Sequence, residues 1–128
     1  MKLNIAEYVL RKHSKVHENK VAILLVDDVG AHRNITYGKL YHDVCCMMVG
    51  LQSFTLPIGS VVCIQAADVY DLLVLFLASN AAGLVPSPLL LSLSAVETEY
   101  ILQDSNASLF FCLTKHKQPI RLVSSCKI

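Results

Sequence analysis

Tryptophan is absent from these 128 residues, glycine occurs only five times, and charged side chains make up just 16% of the chain. Each scarcity excludes something. Gly30, Gly38, Gly50, Gly59 and Gly83 never fall closer together than eight residues. A phosphate-cradling loop of successive backbone donors cannot be built from such spacing. Cysteine has no CxxC pair: Cys45, Cys46, Cys63, Cys112 and Cys126 are odd in number, and adjacent Cys45 and Cys46 would bridge only under strain. They read as reduced thiols, with Cys45, Cys63 and Cys112 acting as small apolar residues. The N-terminus alternates charged with apolar residues from Met1 to Lys20 and has no secretory apolar region, which makes a cytoplasmic protein the expectation.

The net charge of +1 argues against a nucleic-acid protein, which needs a clustered basic surface. Lys115, Lys117, Arg121 and Lys127 stand in the last fourteen residues without an acid, so the preceding part is mildly acidic. The division expected is a folded part over residues 1–114 and a basic tail over residues 115–128.

Apolar residues are plentiful, at 54%. Leu72 to Val96 contains no charge at all, which raises the possibility of a membrane span. The helical part is only about fifteen residues, or about 22 Å, against roughly 30 Å for a bilayer core. Ser79 and Asn80 interrupt it, Gly83 ends it, and its nearest flanking charges, Asp71 and Glu97, are both acidic. No integral membrane insertion is expected. The stretch reads instead as a covered helix, a strand buried on both faces at "LVP", and a loop.

Local signals divide the chain. Asn4 with Glu7 has the form of a capping box, opening a helix whose apolar stripe is Ile5, Ala6, Val9, Leu10 and Val16. "VAILLV" predicts a strand, "DDVGAHRN" a turn and "NITY" the return strand of a hairpin. Leu40, Val44, Met47, Met48 and Leu51 predict one stripe of a helix after Thr36. A strand over Val61–Gln65 follows, then a helix capped by Asp68 and stopped at Gly83. Ser94 with Glu97 opens a last helix carrying Val96, Tyr100 and Ile101 on one side, before the strand "SLFFCLT". Strand and helix alternate from Val61 onward, so the fold class expected is α/β: a mixed, mostly parallel sheet with flanking helices, preceded by a helix and a β-hairpin.

Side chains capable of chemistry read as structural. His13 and His17, one turn apart, lack a third metal ligand nearby. His42 beside Cys45 or Cys46 has the elements of a nucleophile pair, but both thiols lie in or beside an apolar stripe. Met47 and Met48 suit a core better than an acyl pocket. Asp27 and Asp28 with Gly30 form a turn. No catalytic, cofactor-binding or metal residue is assigned.

The order of motifs nevertheless resembles the adenylate-forming enzymes, the superfamily of acyl-CoA synthetases, adenylation domains and luciferases. "NITYGKL" is similar to its (S/T)-Y-x-E-L element. "LPIGSVVCIQAADVYDLLVLFLASNAAGLVPSPL" is similar to its G-D-x-V strand, helix and A-G-x-x-x-P corner, and "LSAVETEYILQDSNASLFFC" to its L-(T/S)-x-x-E-x-x-Y-I-L-x-D-S-x-A element. Lys39 replaces the family glutamate, which denies Thr36 a reciprocal capping box, Ser60 follows Gly59 where aspartate is usual, and Asp68 stands where the family often has Asn.

The resemblance implies the N-terminal portion of a carboxylic acid ligase, with fatty acid metabolism as its setting and ATP, Mg2+ and coenzyme A as requirements of the intact enzyme. This chain itself is expected to take none of them. The partner expected is a second copy or the remainder of the enzyme. The alternatives are a non-catalytic interaction module using an uncovered apolar face and, third, a short membrane-associated protein.

Overall fold

The computed structural model describes residues 4–113. The basic tail assigned to residues 115–128 lies outside the described residues.

The first helix has a π-helical turn over Glu7–Arg11 that runs into α1, Lys12–Val16. Asn4 starts it by accepting a hydrogen bond from the Glu7 backbone N–H at 3.2 Å. The expected reciprocal arm is missing, because the Glu7 carboxylate pairs with Arg11 instead. The buried face also differs from the predicted stripe. Ala6, Leu10 and Ser14 are buried, whereas Ile5, Val9 and Val16 are exposed. The wider π turn changes the angular spacing on which a 3.6-residue stripe depends.

The hairpin pairs β1, Val21–Val26, with β2, His32–Thr36, antiparallel. Its turn is shorter than the expected "DDVGAHRN", because His32, Arg33 and Asn34 already pair with β1. Asp27 Oδ1 accepts from the N–H groups of Val29 and Ala31, and Gly30 adopts φ +81°. Helix α2, Tyr37–Gln52, begins at Thr36, whose hydroxyl accepts from Lys39 N–H at 3.2 Å. Two further donors of its first turn are taken by the preceding loop: Tyr37 N–H bonds Lys20 O and Gly38 N–H bonds Glu18 O.

Strands β3 (Val61–Ala66), β4 (Val85–Pro88) and β5 (Leu109–Leu113) form a parallel sheet in the order β4-β3-β5. Between them run α3, Val69–Ala81, and α4, Ala95–Asp104. Asp68 caps α3 through bonds from Tyr70 and Asp71 N–H, and Gly83 ends it at φ +76°. Ser94 and Glu97 complete a reciprocal capping box on α4.

Alternation along β3 divides the core. Val62 and Ile64 join the main cluster with Leu10, Leu40, Val44, Leu51, Leu75 and Ala78. Cys63 faces the other way, into a smaller cluster with Leu102, Ala107 and Phe110. α3 and α4 thus lie on opposite faces of the sheet, and β3 is covered on both.

Two burial expectations are corrected. β4 is an edge strand, with Val85 and Pro88 exposed, because only β3 lies beside it among the described residues. On α4 the buried residue is Leu102, while Val96 and Tyr100 are 80% and 67% exposed. Tyr100 and Leu102 are two residues apart, about 200° around the helix axis, and so point to opposite sides. No helix among the described residues is long and apolar enough to cross a membrane; the helix inside the uncharged stretch is α3, of thirteen residues.

Candidate functional site

Chain order places one position of this sheet apart from the rest. β3 passes through α3 to β4 on one side, and β4 returns through α4 to β5 on the other. The crevice between the carboxyl ends of β3 and β5 is therefore a topological switch point, where open α/β sheets hold ligands. Ala67 N–H bonds Leu113 O at 2.8 Å across it. Beside the end of β3 the hairpin and the start of α3 line an open groove of about 450 Å³, edged by Asp27, Asp28, His32, Arg33 and Asp68.

The electrostatics of this groove do not suit a phosphate. The N–H groups of Tyr70 and Asp71, which open α3, are already accepted by Asp68 Oδ1 at 2.7 and 3.1 Å. A carboxylate thus occupies the positive end of the helix. Asp71 stands beside it, and partial desolvation followed by the Asp68 charge holds its carboxyl above the ordinary range, with Arg33 opposing.

A network of polar side chains ties β2, α2 and α3 together next to this groove. Tyr70 OH donates to Asp43 Oδ2 at 2.7 Å, and Lys39 Nζ donates to both Asp43 oxygens at 2.6 and 2.7 Å. The Arg33 guanidinium lies over the Tyr70 ring, 5.6 Å from its centroid. Partial burial pushes the Asp43 carboxyl up, but the bonds from Lys39 and Tyr70 and the charges of Lys39 and His42 outweigh it, so it sits below the usual carboxylate range. Burial, then the bond to Asp43, pushes the Tyr70 phenol well above its usual range. These shifts arise within a closed set of partners, which is the behaviour of a structural lock.

The chemically capable side chains weighed from the sequence are not brought together. His13 stacks on His17 at a centroid distance of 6.2 Å and meets Tyr37 at a tilt, 5.3 Å away, and no group of three metal-ligating residues exists among the described residues. Cys46 is exposed, with Sγ 3.6 Å from His42 Nε2, while Cys45 is half-buried one position away. Among the described residues no third side chain orients His42 as a base. Met47 and Met48 pack against the main core. The four described cysteines are free thiols.

Sequence reasoning missed the Asp43–Tyr70 lock. Lys39 and Asp43 stand at i, i+4, which signals a helix-face pair. Nothing local points from Asp43 to a tyrosine 27 residues away.

The sequence matches the family described as AMP-binding enzyme over residues 10–127. The chain belongs to the AMP-binding enzyme family. Among curated members, acetyl-coenzyme A synthetase of Shewanella putrefaciens is 35% identical over 86 residues, which is 66% of this chain and 13% of that protein. The chain thus spans about an eighth of the length of the curated relatives it matches. Among solved members, MatB from Rhodopseudomonas palustris superposes with a TM-score of 0.72 at 26% identity, over 86% of this chain and 21% of that one. The N-terminal subdomain of Klebsiella oxytoca NpsA, in complex with 3-hydroxyanthranilyl-AMSN, superposes with a TM-score of 0.73 at 18% identity, over 96% of this chain and 35% of that one. That likeness shows the fold: an α/β unit of the adenylate-forming N-terminal subdomain.

Within the AMP-binding family frame, Lys39 is the departure with a visible structural result. In place of a glutamate reaching back to the cap, its ammonium reaches forward one turn to Asp43.

Proposed function

We propose that this chain acts as the N-terminal scaffold of an AMP-forming acid–thiol ligase of the acyl-CoA synthetase kind, and that it does not form acyl-adenylates by itself. The intact enzyme would activate a carboxylic acid with ATP and Mg2+ and pass the acyl group to a thiol such as that of coenzyme A. Fatty acid metabolism in the cytoplasm is the setting proposed.

The observation that carries the scaffold reading is the state of the switch-point crevice. Its helix N-terminus is filled by Asp68, and its neighbouring polar side chains are engaged in holding α2 to α3. The glycine spacing supports the same reading, since a triphosphate needs a run of backbone donors. The test is carboxylate-dependent ATP–pyrophosphate exchange by the purified chain, across short-chain, fatty and aromatic acids. No exchange above a buffer control is expected; sustained turnover with any acid would overturn the reading.

A second reading, a non-catalytic interaction module, is favoured by the apolar side chains in water at one end of the sheet. Leu90, Leu91, Val96 and Tyr100 are each more than half exposed. Self-association or binding of the remaining enzyme would cover them. Sedimentation separates the two, because a chain that remains monomeric at high concentration has no need of a second copy.

A further inference from the structure

Among the described residues the parallel sheet ends at β4, and the outer side of that strand has a chemical peculiarity. Gly83 O accepts from Gly59 N–H, Val85 N–H donates to Ser60 O and Leu89 N–H to Ile64 O, at 2.8, 2.9 and 2.8 Å. Residues 83, 85 and 89 therefore turn their amide groups toward β3 and its approach. Successive residues of a strand point their amides to opposite sides, so the positions facing away from β3 are 86 and 88. Both are proline, in register with Val62 and Ile64. A proline has no N–H to offer. Among the described residues no hydrogen bond reaches the carbonyls of Pro86 or Pro88. The edge can thus accept hydrogen bonds and donates none at its two outward positions.

We propose that Pro86 and Pro88 close the β4 edge to strand addition and keep it from pairing with β4 of a second copy of this chain. A second copy is the occupant to consider, since it brings an identical edge at equal concentration. In a two-fold antiparallel pairing centred on Ser87, Pro86 of each chain faces Pro88 of the other. Each such pair requires both residues to donate. All the ladder bonds at those two pairs then lack donors. Sliding the register by two residues sets Pro86 opposite itself and Leu84 opposite Pro88. That is no better, because Leu84 N–H is already bonded to Ser79 O at 2.9 Å.

The need for such a guard is visible on the same strand. Val85 is β-branched and 49% exposed, beside the exposed Leu90 and Leu91, and an uncharged edge of this kind is otherwise a template for association. No Lys or Glu stands between Asp71 and Glu97 to blunt it. The consequence for any partner is specific: it meets this end of the molecule through side-chain packing, and a strand cannot be laid along β4.

The test compares the full chain with the double variant Pro86→Val/Pro88→Val and with Ser87→Val, which raises β propensity without creating an outward donor. Sedimentation velocity across a concentration series is read together with amide hydrogen exchange over residues 85–89. The double variant is expected to self-associate at about tenfold lower concentration than the other two, given the modest worth of each restored bond. Its amides at 86 and 88 should become protected as it assembles. A folded double variant that sediments like wild type would overturn the proposal, and so would equal association by Ser87→Val. If the double variant does not fold, Pro88→Val at the exposed end of the strand carries the same expectation with a smaller shift, and unchanged sedimentation of that folded variant would overturn it.

Discussion

The phenol of Tyr70 on α3 donates to the Asp43 carboxylate on α2 at 2.7 Å, and this one contact joins helices whose remaining interface is apolar. The Asp43 side chain is only 21% exposed, so a carboxylate that loses the phenol has little water to replace it. A buried polar group that loses its partner costs more than the bond itself returns.

Replacing Tyr70 by Phe should therefore lower stability by about 1.5 to 3 kcal/mol, the range for hydrogen bonds to charged groups. Lys39→Met should cost less than about 1 kcal/mol, since the lysine side chain is largely in water. Urea unfolding of the two variants checks the order. Equal losses would mean that the ammonium, and not the phenol, holds Asp43.

Acid should unlock the same contact. Asp43 has its folded pKa depressed, so the stability it contributes is present above the unfolded value of about 3.9 and is lost as pH falls through the folded value. Unfolding free energy measured from pH 6 down to pH 2 should drop less steeply for Asp43→Asn than for wild type. The Glu97 carboxyl, also held low by its bonds from Ser94, leaves a residual slope of the same sign. Superimposable pH profiles for wild type and Asp43→Asn would contradict this account.

Ser79 lies fully buried in α3, and its hydroxyl has no hydrogen-bond partner among the described residues. Removing the oxygen in Ser79→Ala should be neutral or stabilising by up to about 1 kcal/mol, because a desolvated, unsatisfied group disappears and helix propensity improves. A clear fall in the thermal midpoint would show that the hydroxyl has a partner in solution.

Ser94 caps α4 through Glu97 N–H, and Glu97 Oε2 accepts from Ser94 N–H at 2.8 Å. Ser94→Ala should cost about 1 kcal/mol and loosen α4 before the sheet. Hydrogen exchange checks it: amides of α4 should exchange faster while those of β3 stay protected. Uniform acceleration across both would place the capping box in the global unfolding unit.

How far the chain could be read depends on the reach of each signal. Thr36, Asp68 and Ser94 start helices at the positions their side chains imply, and Gly83 stops one, because a cap involves partners within four residues. The β3–α3–β4–α4–β5 order was legible for the same reason. Burial was not. Val16, Val96 and Tyr100 fit an apolar period yet face water, since which side of a helix is covered depends on the layer opposite. Pro86 and Pro88 show the limit most clearly. As a sequence they exclude a helix, but only the register against Val62 and Ile64 reveals that they face the open edge.

The sequence by itself determined the order of the elements, the caps that open α2, α3 and α4, and to which family the motif order is similar, because caps, turns and short-range periodicity act within a few residues. The tertiary structure alone decided that Asp43 meets Tyr70 and that β4, with Pro86 and Pro88 turned outward, lies at the edge of the described sheet. Those outcomes join residues far apart in the chain, and no local rule carries that information: it resides in which faces pack together when the core closes.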